Sequence, residues 1–161
     1  MVPLKVIECI DKLQERNLTI AFAEGASSGS VCSKFSEAHK NTVPLLGGIV
    51  ACKDHMKDYF FGINAAIIEK YGAESEEVAH LMAVHLKEYY EADILVSVTH
   101  CDVEKENRAK NANTYIHIMF EGKQHKSQYN YSGTEEEIAN QISNQIATLV
   151  LEQVATQSAE V

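Results

Sequence analysis

The chain has 161 residues, 45% of them hydrophobic, with 23 Asp and Glu against 14 Lys and Arg and a formal net charge of −9. That composition suits one globular domain with a full-sized core. It excludes a general nucleic-acid binder, which needs a basic face, and no run of about 18 apolar residues is present to span a membrane.

Val2, Val6, Ile7, Ile10 and Leu13 recur at helical spacing and predict a first helix over about 3–16. LTIAFAE (18–24) reads as a buried strand, followed by a loop of small residues and a helix from Ser27 to Ala38. GGIVAC reads as a second strand, KDHMKDYFFG as a helix closed by Gly62, and Ala65 to Tyr71 as a short helix. ESEEVAHLMAVHLKEYYEA is the clearest helix, capped by Ser75 and acidic in its N-terminal half. DILVSVTH (93–100) is a continuous apolar strand suited to the middle of a covered sheet. DVEKENRAKNAN then reads as a polar loop, TYIHIMF and KSQYNYS as a hairpin, and Gly133-Thr134 as the start of a last helix.

Strands alternating with helices predict an α/β fold: a three-layer α/β/α sandwich around a mixed, largely parallel sheet of about five or six strands. The reading gives one domain over about 1–154 and a frayed tail over about 155–161. Ligands of such folds bind outside the carboxyl ends of the strands. Glu24 to Ser28, Cys52 and Thr99 to Asp102 all follow such ends, so three separated segments converge on one edge.

With those segments placed, the sequence resembles the CinA C-terminal domain family, which includes stand-alone nicotinamide mononucleotide amidohydrolases and domains of competence/damage-inducible proteins. YGAESEEVAHLMA (71–83) is similar to that family's H-G-A-V-S-E-E-V-A-x-x-M-A. LLGGIVACKDHMKDYFFGI (45–63) is similar to F-x-G-G-x-V-x-Y-x-N-x-x-K-x-x-L-L-G-V. LTIAFAEGASSG lies over T-x-x-x-A-E-S-C-T-G-G, and ADILVSVTH over A-D-x-x-x-x-x-T-G. The resemblance implies the fold, a tendency to form homodimers or higher homo-oligomers, and no cofactor.

It also implies a serine nucleophile directly after the Ala-Glu pair, where this chain has Gly25. The tyrosine of the second segment corresponds to Cys52, its lysine to Lys57 and the later threonine to Thr99. A glycine-rich loop after that threonine is replaced by HCDVEKEN, and the late G-D-R becomes Gly133-Thr134-Glu135, reversing the charge of an arginine expected near the ligand. Scaffold segments match, and active-site segments mostly do not.

Amide hydrolysis by the implied route needs a nucleophile, a base and oxyanion donors. Three replacements for the missing serine stand: Ser27 or Ser28, displaced along the loop; a water activated by Lys57; or the Cys52 thiolate assisted by Lys53 or Lys57. Binding demands less. The loop running into a helix offers backbone N–H groups and a dipole suited to phosphate, and Glu24, Gly25, Ser27, Ser28, Gly29, Gly48 and Thr99 form the ligand-facing set. The plainer role for Ser27 or Ser28 is to cap the helix.

No metal is expected. The alternative is a zinc site of Cys52, His55, His100 and Cys101, against which unpaired thiols and loop histidines are the commoner outcome. The four cysteines lie far apart, and the start, MVPLKVIECIDKLQER, lacks a signal peptide's apolar block; this predicts reduced thiols in the cytoplasm. The favoured function is a divergent, catalytically impaired protein with a cleft for a nucleotide-like small molecule. The alternatives are a working amidohydrolase with a displaced nucleophile, and a regulatory or interaction subunit with a vestigial pocket.

Overall fold

The computed structural model describes residues 1–38, 44–104 and 110–159. The elements follow one another as α1 (Leu4–Glu15), β1 (Ile20–Glu24), α2 (Ser30–Glu37), β2 (Leu45–Val50), α3 (Asp54–Phe61), α4 (Ala65–Tyr71), α5 (Glu76–Leu86), β3 (Ile94–Glu104), β4 (Lys110–Phe120), β5 (Lys123–Gly133) and α6 (Glu135–Ala159). The five strands form one sheet in the order β2-β1-β3-β4-β5. β1 pairs in parallel with both β2 and β3, while β4 runs antiparallel to β3 and β5. The sheet is mixed, and only β4 opposes the common direction.

The period of two along the central strands sorts the core into two layers. Ile20, Phe22, Val96 and Val98 face α1, α2 and α6, where Phe22 meets Phe35 with ring centroids 4.8 Å apart. Ala21, Ala23 and Leu95 face the other way, toward Phe61, Val78, Met82 and Leu86. The small side chains of Ala21 and Ala23 let α5 lie close over β1 and β3. Ser97 takes advantage of this closeness and donates to the Ala79 carbonyl. Val78, Met82 and Leu86 of α5 are buried in this core, and Leu81 is partly so.

Several boundaries differ from those the sequence predicts: α5 ends at Leu86, short of the predicted end near 92, and β2 spans Leu45–Val50, two residues earlier than GGIVAC. α2 begins at Ser30, not Ser27, because Ser28 (φ 56°) and Gly29 (φ 87°) take left-handed backbone conformations that no α-helix admits. The segment predicted as a polar loop is largely ladder: Asp102 pairs with Ala112 and Glu104 with Lys110, while 105–109 lie outside the described residues. An antiparallel pair held by backbone hydrogen bonds needs no apolar alternation where it projects past the core. The hairpin turns at Glu121-Gly122, both with positive φ (50° and 74°), so β5 starts at Lys123. α6 runs on through 155–159.

The parallel strands place the site. Glu24 sits level with Val50 on one side and Val98 on the other. The Ala51 N–H donates to the Glu24 carbonyl (2.8 Å) and the Gly25 N–H to the Val98 carbonyl (3.1 Å). The residues after β1, β2 and the level of Val98 in β3 therefore meet at one edge.

Candidate functional site

Glu24 ends β1 and is buried, with its side chain turned under α2. One carboxylate oxygen accepts from the Val31 N–H (3.0 Å), the other from the Cys32 N–H (2.9 Å). These are first-turn donors of a helix, normally left to a capping side chain or an anion. Neither Ser27 nor Ser28 caps the helix. Ser28 Oγ donates to the Ala26 carbonyl (3.2 Å), and Ser27 Oγ, in a residue only 6% exposed, has no partner among the described residues.

On the opposite face lies Lys57. α3 carries it inward, so Lys53 stays exposed at the helix start while Lys57 is fully buried. Its Nζ donates to the Ala51 carbonyl (2.9 Å) and to a carboxylate oxygen of Glu74 (3.1 Å). Glu74 precedes α5 and is held there by its neighbours. Ser75 caps α5 by accepting from the Val78 N–H, and the buried Thr99 hydroxyl donates to the Ser75 carbonyl (3.1 Å). Thr99 thus positions Glu74 and uses its hydroxyl to do so.

The Glu74 carboxylate is the hub of the site. Besides Lys57 it accepts from the Ala26 N–H (3.1 Å, Oε1) and the His100 N–H (3.0 Å, Oε2). Burial pushes its carboxyl above the usual carboxylate range, opposed by the Lys57 ammonium and then by the His100 and Ala26 N–H groups. Two converging backbone N–H groups beside a lysine ammonium form a ready-made anion hole, and the protein's own carboxylate fills it.

This carboxylate also explains Gly25. A Cβ at position 25 would lie 2.6 and 2.7 Å from the two Glu74 oxygens. The space a side chain would take is already occupied. Gly48 is explained by packing: a Cβ there would lie 3.1 Å from the Phe22 carbonyl oxygen and 3.2 Å from Cys32 Sγ.

Cys52 is exposed at the rim, with Sγ 3.6 Å from the Gly25 carbonyl and 3.5 Å from Ser28 Oγ. Lys57 sends its proton donors elsewhere. No group of three or more His, Cys, Asp or Glu close enough to hold a metal occurs among the described residues, and the Cys101 side chain lies outside them.

A cavity of about 460 Å³ opens on the α2/α6 face, lined by Ser27, Ser28, Gly29, His100, Glu135 and Ile138 among others. The structure therefore brings Ser27, Ser28 and Gly29 to a cavity that Lys57, Cys52 and Thr99 do not line, with Cys52 meeting Ser28 beside it. His100 joins the cavity to the Glu74 cluster, with its backbone on Glu74 and its side chain in the cavity wall.

The model of the CinA C-terminal domain matches residues 5–154 of the chain. The chain belongs to the CinA C-terminal domain family. Among its relatives, a CinA-like protein of Prochlorococcus marinus is 34% identical over 90 residues, 56% of this chain and 21% of the relative. One from Thermotoga neapolitana is 29% identical over 141 residues, 87% of this chain and 34% of the relative. The chain thus spans only about a fifth to a third of those relatives. The structure of competence damage-inducible protein A from Klebsiella pneumoniae superposes with a TM-score of 0.78 at 17% identity, covering 94% of this chain and 96% of that one. The competence or damage-inducible protein from Enterobacter asburiae gives 0.76 at 17% identity, with 92% and 95% covered.

Set beside the CinA C-terminal motifs, Glu74 is the member of this cluster that the sequence did not point to. It stands where the H-G-A-V-S-E-E segment has valine, and that departure was the available signal. Serine at 25 and valine at 74 in the motif become Gly25 and Glu74 here. The first change empties a space and the second fills it. Ser28 is a comparable departure, a serine with left-handed φ where the T-G-G motif has glycine.

Proposed function

We propose that this protein is a catalytically impaired member of the CinA C-terminal domain family that keeps a cleft for a small ligand. The observation that carries the reading is the Glu74 carboxylate lodged against Gly25, bonded to Lys57 and to the Ala26 and His100 N–H groups. Hydrolysis of a carboxamide needs a nucleophile, a free base and empty oxyanion donors in one place. Position 25 offers a hydrogen atom, the Lys57 ammonium is engaged, and two backbone donors already hold an anion. Ser27 and Ser28 line a cavity that neither Lys57 nor Glu74 lines. Members of a catalytic set act as a unit, so separating them removes most of the rate. The same reading includes self-association in the cytoplasm, measurable by sedimentation of the purified chain.

The test is ammonia release from nicotinamide mononucleotide, measured with the wild type beside Lys57→Ala, Ser27→Ala and Cys52→Ala. The reading predicts that wild type and all three variants match the uncatalysed rate. Turnover that disappears in Lys57→Ala together with Ser27→Ala or Cys52→Ala establishes the displaced-nucleophile hydrolase instead.

A further inference from the structure

We propose that His80 of α5 and His117 of β4, with Glu76 one helical turn before His80, form a binding site for a divalent cation of the zinc type. The site lies farther along α5 than Glu74 and is separate from the cleft proposed above.

The fold brings the two histidines together. Ser97 of β3 donates to the Ala79 carbonyl and so seats α5 on the sheet, and His117 lies directly across the β3–β4 ladder from Ser97. The rings of His80 and His117 meet edge to face with centroids 4.9 Å apart. His117 is only 1% exposed, and neither of its ring nitrogens has a hydrogen-bond partner among the described residues. The Nδ1 of His80 is buried and likewise unpartnered. Folded proteins seldom leave buried nitrogens in this state, and a bound ion is one of the things that resolves it. Gln124, on the neighbouring β5, is close to the His117 ring and is placed to accept the N–H that a metal-bound imidazole keeps on its other nitrogen.

The ring separation suits a shared ion. Two imidazoles bonded to one zinc ion at about 2.0–2.1 Å have their centroids about 3.2 Å from it, so a separation of 4.9 Å corresponds to a ligand angle of about 100°. That is close to tetrahedral. A linear two-coordinate ion would need about 6.4 Å between the centroids. Imidazole nitrogens also select against magnesium and calcium, which take oxygen ligands.

His80 faces solvent through a cavity of about 320 Å³ lined by Tyr71, Glu76, Glu77, His80, Leu81 and Lys126. Glu76 and His80 are four residues apart on α5 and so share one face. In this structure the Glu76 carboxylate lies 3.9 Å from Lys126 Nζ, with both side chains about half exposed, and such a pair is weak enough to give up. Turned toward His80, Glu76 completes a set of two imidazoles and one carboxylate, with a position left for water from the cavity. The Lys126 ammonium opposes a cation there, and the carboxylates of Glu76 and Glu77 offset it. The spacing of the sequence conceals such a site, because the two histidines sit on different elements and the next histidine on α5, His85, is five residues from His80.

Calorimetric titration of the untagged full chain with zinc chloride tests the site, alongside the absorption spectrum of the cobalt(II)-loaded protein. One zinc ion should bind per chain, and the cobalt spectrum should lack the intense near-ultraviolet band of thiolate ligation. His80→Gln and His117→Phe should each weaken zinc about tenfold or more. Phenylalanine keeps the ring packing at 117, and circular dichroism checks that both variants fold. Glu76→Gln should weaken zinc several-fold, and Lys126→Gln, which removes the opposing charge, should tighten it several-fold. No heat with zinc overturns the site. Zinc affinity unchanged in the folded His80→Gln variant, or a thiolate band that Cys52→Ser removes, places the ion elsewhere and also overturns it. Affinity that falls in the histidine variants but ignores Glu76→Gln overturns the three-ligand set.

Discussion

Returning a side chain to position 25 should expel Glu74, and the cost can be worked from the contacts. The Gly25 backbone has no left-handed φ, so serine is sterically admissible there but for the carboxylate 2.6 Å from its Cβ. The obstruction is the end of a flexible side chain, so Glu74 swings away and forfeits its bonds to Lys57 Nζ, Ala26 N and His100 N. Hydrogen bonds to charged groups contribute about 1.5–3 kcal/mol each. The Lys57 ammonium keeps the Ala51 carbonyl, and the Glu74 side chain is 15% exposed, so water recovers part of the loss. We expect Gly25→Ser to cost about 3 kcal/mol, or a Tm lower by roughly 6–12 °C for a domain of this size. Glu74→Val forfeits the same bonds and should cost about as much. The double variant Gly25→Ser/Glu74→Val then loses them only once, so its destabilisation should stay near about 3 kcal/mol and not approach about 6 kcal/mol. Urea unfolding of the four proteins, followed by circular dichroism, completes the cycle. Single costs that add to the double within about 0.5 kcal/mol would refute the idea that the two positions share one space.

Further outcomes follow from the same contacts. Glu24→Gln sets an amide N–H₂ against the Val31 or Cys32 N–H in a buried place and should cost about 2 kcal/mol in urea unfolding; an unchanged midpoint would show that the carboxylate does not hold α2. Ser28→Gly relieves a left-handed φ of 56° and should raise stability by up to about 1 kcal/mol; the usual loss on introducing glycine would contradict the strain. Burial, with His80 and Lys126 nearby, pushes His117 down to about 4. The unfolded chain then takes up a proton that the folded one refuses, so stability falls as pH drops from about 6.5 toward 4, by at most about 3 kcal/mol, and levels off below. His117→Phe should flatten that limb of the stability–pH curve, and an unaltered slope would assign it to other groups.

How much of this was legible in the sequence depends on whether a residue's role is local. The helices α1, α4 and α5 and the strand β1 follow from periodicity and capping, because those signals act within a few residues. Gly25 as a departure from the motif's serine was also legible, since it lies within one motif. Glu74 was not, because an acid before the Ser75 cap reads as ordinary helix-start charge. Its role comes from Lys57 and the Ala26 and His100 N–H groups, 17, 48 and 26 residues away in the chain. The start of α2 was misplaced for a similar reason: the carboxylate that caps it sits on the preceding strand, so the serines nearest the helix looked like the cap. Lys57 shows the reverse. Its spacing from Lys53 carries no sign of burial, only the resemblance singles it out, and the structure buries it.

The central claim is that no side chain of this protein forms a bond to a carboxamide carbon. The most direct measurement is the intact mass of the protein, acid-quenched at intervals after mixing with nicotinamide mononucleotide. The account predicts the unmodified mass at every time point. A mass increased by the substrate's acyl group, mapped to Ser27, Ser28 or Cys52, would contradict it.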